Sequence, residues 1–165
     1  MKKSKYFCFT LTILLIIFFS GCTNKNQQEY IEEFAGYAEC FQSINAVVLS
    51  AIESDEAYIN GLDEYGKKTY IVQREDNEIT GLYKFPQELS SQEISMLGLI
   101  NEFMKDDFEA VVCFESRISY EGDGSRMIVY SPDEKPTFFF YPGDRLDFHT
   151  YELQNNWYLL IHPMR

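Results

Sequence analysis

The second half of the chain is a succession of short apolar and aromatic runs separated by turn residues, and this pattern constrains the fold most. Short runs rich in β-branched and aromatic residues are typical of strands. The first run alternates, which predicts one strand face made of Ala110, Val112, Phe114, Ile118 and Tyr120. Strands in series with short connections pair antiparallel, so the sequence predicts an antiparallel meander from Glu109 onward.

A turn signal at Asp123-Gly124 follows this first run, since Asp-Gly favours a two-residue hairpin turn. Such a turn fixes which residues of the two strands lie opposite each other. The predicted pairs are Tyr120 with Met127, Ile118 with Val129 and Glu121 with Arg126. This register is favoured because apolar side chains meet apolar ones and two opposite charges meet.

Three further runs complete the strand pattern: Thr137–Tyr141, Leu146–Tyr151 and Trp157–His162. Turn-forming residues, Pro142-Gly143-Asp144 and Asn155-Asn156, separate them. Two stretches, Phe138–Phe140 and Leu159–Ile161, are apolar at every position and therefore on both faces of a strand. The sequence thus predicts that part of the sheet is covered on both faces, or is covered by a partner.

A long helix near the start of the chain is predicted by an apolar stripe at alternating spacings of four and three residues. The stripe consists of Tyr30, Phe34, Tyr37, Phe41, Ile44, Val48 and Ala51. Gly36 and Asn45 weaken the pattern. A helix is therefore predicted as far as Phe41, and Ile44–Ile52 fits either a helix or a strand.

A second helix is predicted by a capping box, in which Ser90 is the N-cap and Glu93 follows three residues later. Its apolar face consists of Met96, Leu97, Ile100, Phe103 and Met104. Between the two helical segments, Thr69–Gln73 and Ile79–Phe85 predict a hairpin.

The order of elements predicts an α+β fold: one or two N-terminal helices and a hairpin, a second helix, and then an antiparallel meander. Helices would pack on one face of the sheet. A cystatin-like or NTF2-like curved sheet suits this order. That comparison is an analogy of fold and carries no function.

The first 22 residues have the layout of a secretory signal. Three lysines begin it, an apolar run of 13 residues from Phe7 to Phe19 follows, and Ser20-Gly21 precedes Cys22. This ending resembles the lipobox of bacterial lipoproteins, with Phe19 where Leu is usual. The resemblance implies that Cys22 receives a diacylglyceryl thioether and becomes the first residue after cleavage. The alternatives are a plain membrane anchor, for which 13 residues fall short of about 20, and a conventional signal with a chance cysteine.

The lipobox resemblance implies three segments. Residues 1–21 are a signal peptide, residues 22–28 are the lipidated cysteine and a polar tether, and residues 29–165 are one α+β domain. The protein would then be extracytoplasmic and anchored by lipid to the bacterial cell membrane. In a host with two membranes, the outer membrane is the other destination.

The charge of the chain limits its partners. The net charge is −12 at pH 7 and becomes −15 when the three lysines of the signal are removed. Such an acidic domain repels the phosphates of nucleic acid and anionic lipid headgroups. Nucleic acid is therefore not expected as a partner. The expected partners are the membrane, through the lipid on Cys22, and an envelope protein, peptide or glycan.

Candidate chemistry is sparse. Asp147 and His149 alternate on a predicted strand and so share a face, and His162 is the only other histidine. They could serve acid–base chemistry. A catalytic zinc site wants about three protein ligands, and no zinc-binding spacing is present, so neither a metal nor another cofactor is expected. A solvated polar strand face is the favoured interpretation.

Cys40 and Cys113 are the cysteines that remain outside the signal and the lipid site. Two thiols outside the cytosol can form a disulfide. The alternative is two small buried apolar side chains.

Two function classes follow. The first is a lipid-anchored extracytoplasmic binding protein without catalytic residues, and the second is a small extracytoplasmic hydrolase using Asp147, His149 and His162. A pocket that gathers the two histidines and a carboxylate would favour the hydrolase. The binding protein is the preferred prediction, because every enzyme motif is either absent or better explained as structure.

Overall fold

The computed structural model describes residues 27–54, 62, 66–114, 116–122, 126–136 and 148–162. Its elements are α1 (Gln27–Ser54), β1 (Lys67–Glu75), β2 (Glu78–Leu82), α2 (Ser91–Phe103), β3 (Ala110–Phe114), β4 (Arg117–Glu121), β5 (Arg126–Tyr130), β6 (His149–Gln154) and β7 (Trp157–Ile161). The strands form one sheet in the order β2-β1-β3-β4-β5-β7-β6, and each neighbouring pair is antiparallel. The predicted α+β class is confirmed.

The sheet contains the predicted meander and one departure from it. Strands β3, β4 and β5 follow each other in space as in sequence. The last two strands are a hairpin in which β7 pairs with β5 and β6 forms the edge. The predicted hairpin before α2 is also confirmed: β1 and β2 are joined by Asp76 and Asn77, both at positive φ.

Helix α1 is longer than predicted. It spans 28 residues, so the ambiguous stretch Ile44–Ile52 is helical. The stripe explains this, because Tyr30, Phe34, Phe41, Ile44, Val48 and Ala51 are all buried and a continuous buried stripe favours a continuous helix. The helix starts at Gln27, so the last two residues of the predicted tether belong to its first turn.

Helix α2 begins as its sequence predicts. The backbone N–H of Glu93 donates to Ser90 Oγ at 3.3 Å, and the backbone N–H of Ser90 donates to Glu93 Oε2 at 2.6 Å. The capping box is therefore confirmed. Its face is buried through Leu97, Ile100 and Phe103.

One face of the sheet is covered by both helices, and its core is a cluster of aromatic rings. Phe41 of α1 lies at its centre, with ring centroids 5.5 Å from Phe103, 5.0 Å from Tyr120 and 5.5 Å from Trp157. Edge-to-face contacts of this kind stabilise a core beyond the area that they bury. Most of the aromatic side chains that the structure describes are thus packed in or against the core. We call this side of the sheet the helix face.

The predicted register between β4 and β5 is wrong by one residue. Ile118 pairs with Tyr130 rather than Val129, and Glu121 pairs with Met127 rather than Arg126. A shift of one residue exchanges the two faces of a strand. It places Ile128 and Tyr130 on the helix face, beside Trp157, and Val129 on the other side.

Arg126 explains why this register is preferred. Its guanidinium reaches the start of α1, where Nη1 donates to the hydroxyl of Tyr30 at 2.7 Å, and Nη2 lies 3.4 Å from Asp107 Oδ2. The predicted partner, Glu121, points to the opposite face. The turn at Asp123-Gly124 itself lies outside the described residues.

The first predicted strand face is also wrong, because the run from Ala110 to Tyr120 is a hairpin. Cys113 pairs with Ile118, and Phe114 pairs with Arg117. The chain therefore reverses direction between Phe114 and Arg117. It leaves Val112 and Ile118 on opposite faces, where a single strand would have placed them together.

The second face of the sheet is also buried in part. Met127, Val129, Tyr158 and Leu160 form a cluster there, and Phe148 packs against it. Leu159 and Leu160 are both fully buried, although they point to opposite faces. Coverage of both faces is thus confirmed for β7. The predicted strand Thr137–Tyr141, with Phe138–Phe140, lies outside the described residues.

Both edge strands contain a β-bulge. The extra residue is Thr80 in β2, between the pairs Gln73–Gly81 and Arg74–Ile79, and it is Leu153 in β6. Bulges interrupt the row of free main-chain groups that an edge strand presents. At both ends of the described sheet, the bulge therefore hinders pairing with a further strand.

Candidate functional site

The residues of the hydrolase prediction are not gathered into one site. His149 pairs with Ile161, which packs into the helix-face core, while the ring of His162 lies 5.5 Å from that of Phe148, on the second face. Neighbouring residues of a strand point to opposite faces. The two imidazoles are therefore separated by the sheet. Asp147 lies outside the described residues.

Both cysteines of the domain are free thiols in the structure. Cys113 is buried on β3, and Cys40 is half-buried on α1. Burial raises the pKa of the Cys113 thiol to about 12. A thiol with such a pKa is protonated at neutral pH, and a protonated thiol is a poor nucleophile.

A small cleft opens beside the Arg126 side chain, between α1, the end of α2 and the β4–β5 connection. It is lined by Tyr30, Met104, Asp107, Gly122, Arg126, Met127, Ile128 and Leu159. Its volume is about 10 Å³. One water molecule needs about 10–15 Å³, so the cleft has room for one water and for no larger ligand.

Gly122 closes this cleft from the side of the sheet. A Cβ at this position would lie 2.6 Å from the carbonyl oxygen of Asp107. The segment after α2 therefore approaches the end of β4 closely only because residue 122 is glycine. The cleft is best explained as a packed corner of the fold, stabilised by the Arg126 contacts.

A half-buried carboxyl group, that of Glu121, lies on the second face. Ser119 Oγ donates to Glu121 Oε1 at 2.8 Å. Burial raises the pKa of the Glu121 carboxyl, while the hydrogen bond from Ser119 and the positive charge of Lys67 lower it in part. Its partners on the neighbouring strands are Ala110 and Met127, and neither of them is an acid that could share a proton with Glu121.

The β1–β2 hairpin presents the most distinctive exposed surface of the described chain. Ile71 is 56% exposed and Tyr83 is 48% exposed. They lie side by side, since the backbone N–H of Tyr83 donates to the carbonyl oxygen of Ile71 at 2.7 Å. Beside Ile71 comes Ala110, its partner on β3. Two large exposed apolar residues at neighbouring positions on a sheet face are typical of an interaction site.

The same face of the hairpin continues toward its turn with polar and acidic residues. Gln73 lies opposite Gly81, and Glu75 lies directly opposite Glu78. We call this surface, made of Ile71, Gln73, Glu75, Glu78, Gly81 and Tyr83, the hairpin surface. It belongs to the second face of the sheet, whereas Arg74 turns to the helix face and donates to Asn101 Oδ1 at 3.1 Å.

Sequence reasoning missed this surface. Tyr70, Ile71 and Val72 are three successive apolar residues, and nothing in the run identifies the middle one as exposed. Alternation along the strand was the available signal. Tyr70 and Val72 pack into the core under α2, and successive side chains of a strand point to opposite faces, so Ile71 must point away from that core.

Comparison with protein-family models, with curated proteins and with solved structures gave no match. Within the residues that the structure describes, no helix is long and apolar enough to cross a membrane. The same residues contain no group of three or more metal-binding side chains. The function must therefore be argued from the chain itself.

Proposed function

We propose that this chain is a lipid-anchored extracytoplasmic binding protein that contacts its partner through the hairpin surface. The observation that carries the binding role is the exposed pair Ile71 and Tyr83, on a domain whose other large aromatic side chains pack mainly into the core. Leaving such a pair in water is unfavourable, and covering it with a partner releases that free energy.

The anchor is supported by the sequence of residues 1–22 and by where α1 begins. Gln27 follows Cys22 by five residues, which span at most about 18 Å when fully extended. A lipid on Cys22 would thus keep the domain close to the membrane surface. A charge of −15 after removal of the signal opposes contact with anionic headgroups.

The lipid is strong enough to overcome this repulsion. Each buried methylene contributes about 0.8 kcal/mol, and two acyl chains are sufficient for stable anchoring. In this proposal the lipid on Cys22 alone attaches the protein to the membrane, and the folded domain binds the partner.

The hydrolase alternative has less support. His149 is exposed, and the sheet separates it from His162. A general acid and base must both reach the same substrate. The described residues offer no pocket at which these two imidazoles could do so.

We expect Cys22→Ser to abolish membrane attachment. Without the thiol no thioether can form, so the protein should accumulate as an unlipidated precursor. Phase partitioning with a nonionic detergent, combined with metabolic labelling by a radioactive fatty acid, measures the change. Wild type should be labelled, and the Cys22→Ser protein should carry no label.

Cys40→Ser is the matched control, since it removes a thiol from the folded domain and should leave labelling unchanged. Equal labelling of wild type and Cys22→Ser would contradict the anchor. Wild-type protein found in the aqueous phase without label would contradict it as well.

A further inference from the structure

We propose that the hairpin surface binds a basic polypeptide segment in which a lysine or arginine lies about four residues from an apolar side chain. This inference deepens the proposed function and rests on its binding part, because it names the chemistry of the partner for the same surface.

The apolar end of the surface can hold one large side chain. Ile71 and Ala110 pair on β1 and β3, and Tyr83, which directly follows the end of β2, is hydrogen-bonded to the backbone of Ile71. Lys84 Nζ lies 5.2 Å from the centroid of the Tyr83 ring, so the chain already supplies a cation beside this ring, and the apolar end is left to an apolar side chain of the partner. Aromatic and aliphatic anchors in such positions carry much of the affinity of protein interfaces.

The acidic end can hold a cation. Glu75 and Glu78 are both exposed and directly opposite each other across the hairpin. Like charges in this position repel and weaken a strand pair. Neither carboxylate forms an ion pair with any other described residue, since the nearest arginine in sequence, Arg74, donates to Asn101 and to the carbonyl oxygen of Phe108. A lysine or arginine bound between them would remove the repulsion.

The distance between the two ends defines the partner further. Ile71 and Glu75 are four residues apart on β1, which corresponds to about 13 Å along a strand. An extended polypeptide covers the same distance in four residues. The bulge at Thr80 hinders strand addition at this edge, so recognition falls to the side chains of the hairpin surface.

The charge of the chain selects among partner classes. A net charge of −12, or −15 without the signal, attracts cationic partners and repels nucleic acid and anionic lipid. A neutral glycan would gain nothing from the carboxylate pair. A basic polypeptide is the class that uses both ends of the hairpin surface.

Selection of random twelve-residue peptides displayed on phage, against the full-length protein in detergent micelles, tests the inference. We expect enriched peptides to contain lysine or arginine about four residues from an aromatic or aliphatic residue. One enriched peptide is then synthesised, and its affinity is measured for four variants. Two alter the surface: Glu75→Gln with Glu78→Gln, and Ile71→Thr with Tyr83→Thr. Two are controls on exposed helix positions: Glu39→Gln with Glu53→Gln, and Leu99→Gln.

Each surface variant should weaken binding at least about fivefold, and each control should stay within about twofold of wild type. Circular dichroism should show that all four variants are folded. Equal weakening by the Glu39 and Glu53 variant would indicate attraction by net charge alone and would overturn the inference.

Other results would distinguish a failure of the basic-peptide inference from a failure of the proposed binding function. Peptides without basic residues that still require Ile71 and Tyr83 would overturn the basic partner and leave the binding role intact. If no peptide is enriched, or none depends on the hairpin surface, both fail. A dimer in sedimentation that Ile71→Thr dissociates would identify a second copy as the partner and overturn the peptide proposal.

Discussion

Phe41→Ala should lower the free energy of unfolding by about 3–5 kcal/mol, as replacing a fully buried phenylalanine does in other cores. Phe41 is completely buried, and its ring contacts those of Phe34, Phe103, Tyr120 and Trp157. These rings belong to both helices and to two strands. Removing the central ring therefore leaves a cavity where the two layers meet, and the surrounding rings cannot fill it without moving the helices.

Urea denaturation followed by tryptophan fluorescence measures this change, because Trp157 is the only tryptophan and contacts Phe41 directly. Leu99→Ala is the control, since Leu99 is a large apolar residue on an exposed face of α2. Its effect should stay within about 0.5 kcal/mol. Equal effects of the two substitutions would contradict the assignment of the core.

Val129→Asp should destabilise the domain by about 4 kcal/mol or more, the range expected when an unpaired charge is buried. Val129 is fully buried on the second face, between Ser119 and Tyr158 on the neighbouring strands. The neighbouring side chains of its cluster are apolar. None of the residues described in this cluster carries a positive charge, so a carboxylate there should be protonated or the strand should leave the sheet.

Thr69→Asp is the matched control. Thr69 lies in the same cross-strand row of the second face, through the pairs with Val112, Ser119 and Val129, and it is exposed on β1. The control should change the midpoint of urea denaturation little. A Val129→Asp protein as stable as Thr69→Asp would show that the second face is open to water at β5.

The helices could be predicted because their signals are local. The stripe from Tyr30 to Ala51 has the period of a helix, and the capping box of α2 is complete in four residues. The β1–β2 hairpin is also local, since its turn at Asp76-Asn77 separates two short apolar runs. In each case the residues that decide the structure are close in sequence.

The β4–β5 register could not be predicted, because distant residues decide it. Arg126 contacts Tyr30, which is 96 positions away, and β5 pairs with β7 on its other side. The Asp-Gly turn favours a register that differs by one residue, and these tertiary contacts outweigh it. A local turn preference is a small part of the free energy of a strand that is buried on both faces.

For the hairpin surface, the sequence could predict the types of residue present but not which of them lie side by side. The sequence indicated an acidic domain rich in aromatic residues. It did not indicate that Glu75 would face Glu78, or that Ile71 would lie beside Tyr83, because both facts depend on the register of β1 and β2. The sequence also did not indicate that His149 and His162 would lie on opposite faces of the sheet, because the pairing of β6 with β7 sets those faces.

The most direct test of the central claim, a binding domain held at the membrane by lipid, is the mass of the N-terminal peptide of protein purified from bacterial membranes. The account predicts a peptide that begins at Cys22 and carries a diacylglyceryl group on its sulfur. A peptide that begins elsewhere, or one with an unmodified Cys22 thiol, would contradict it.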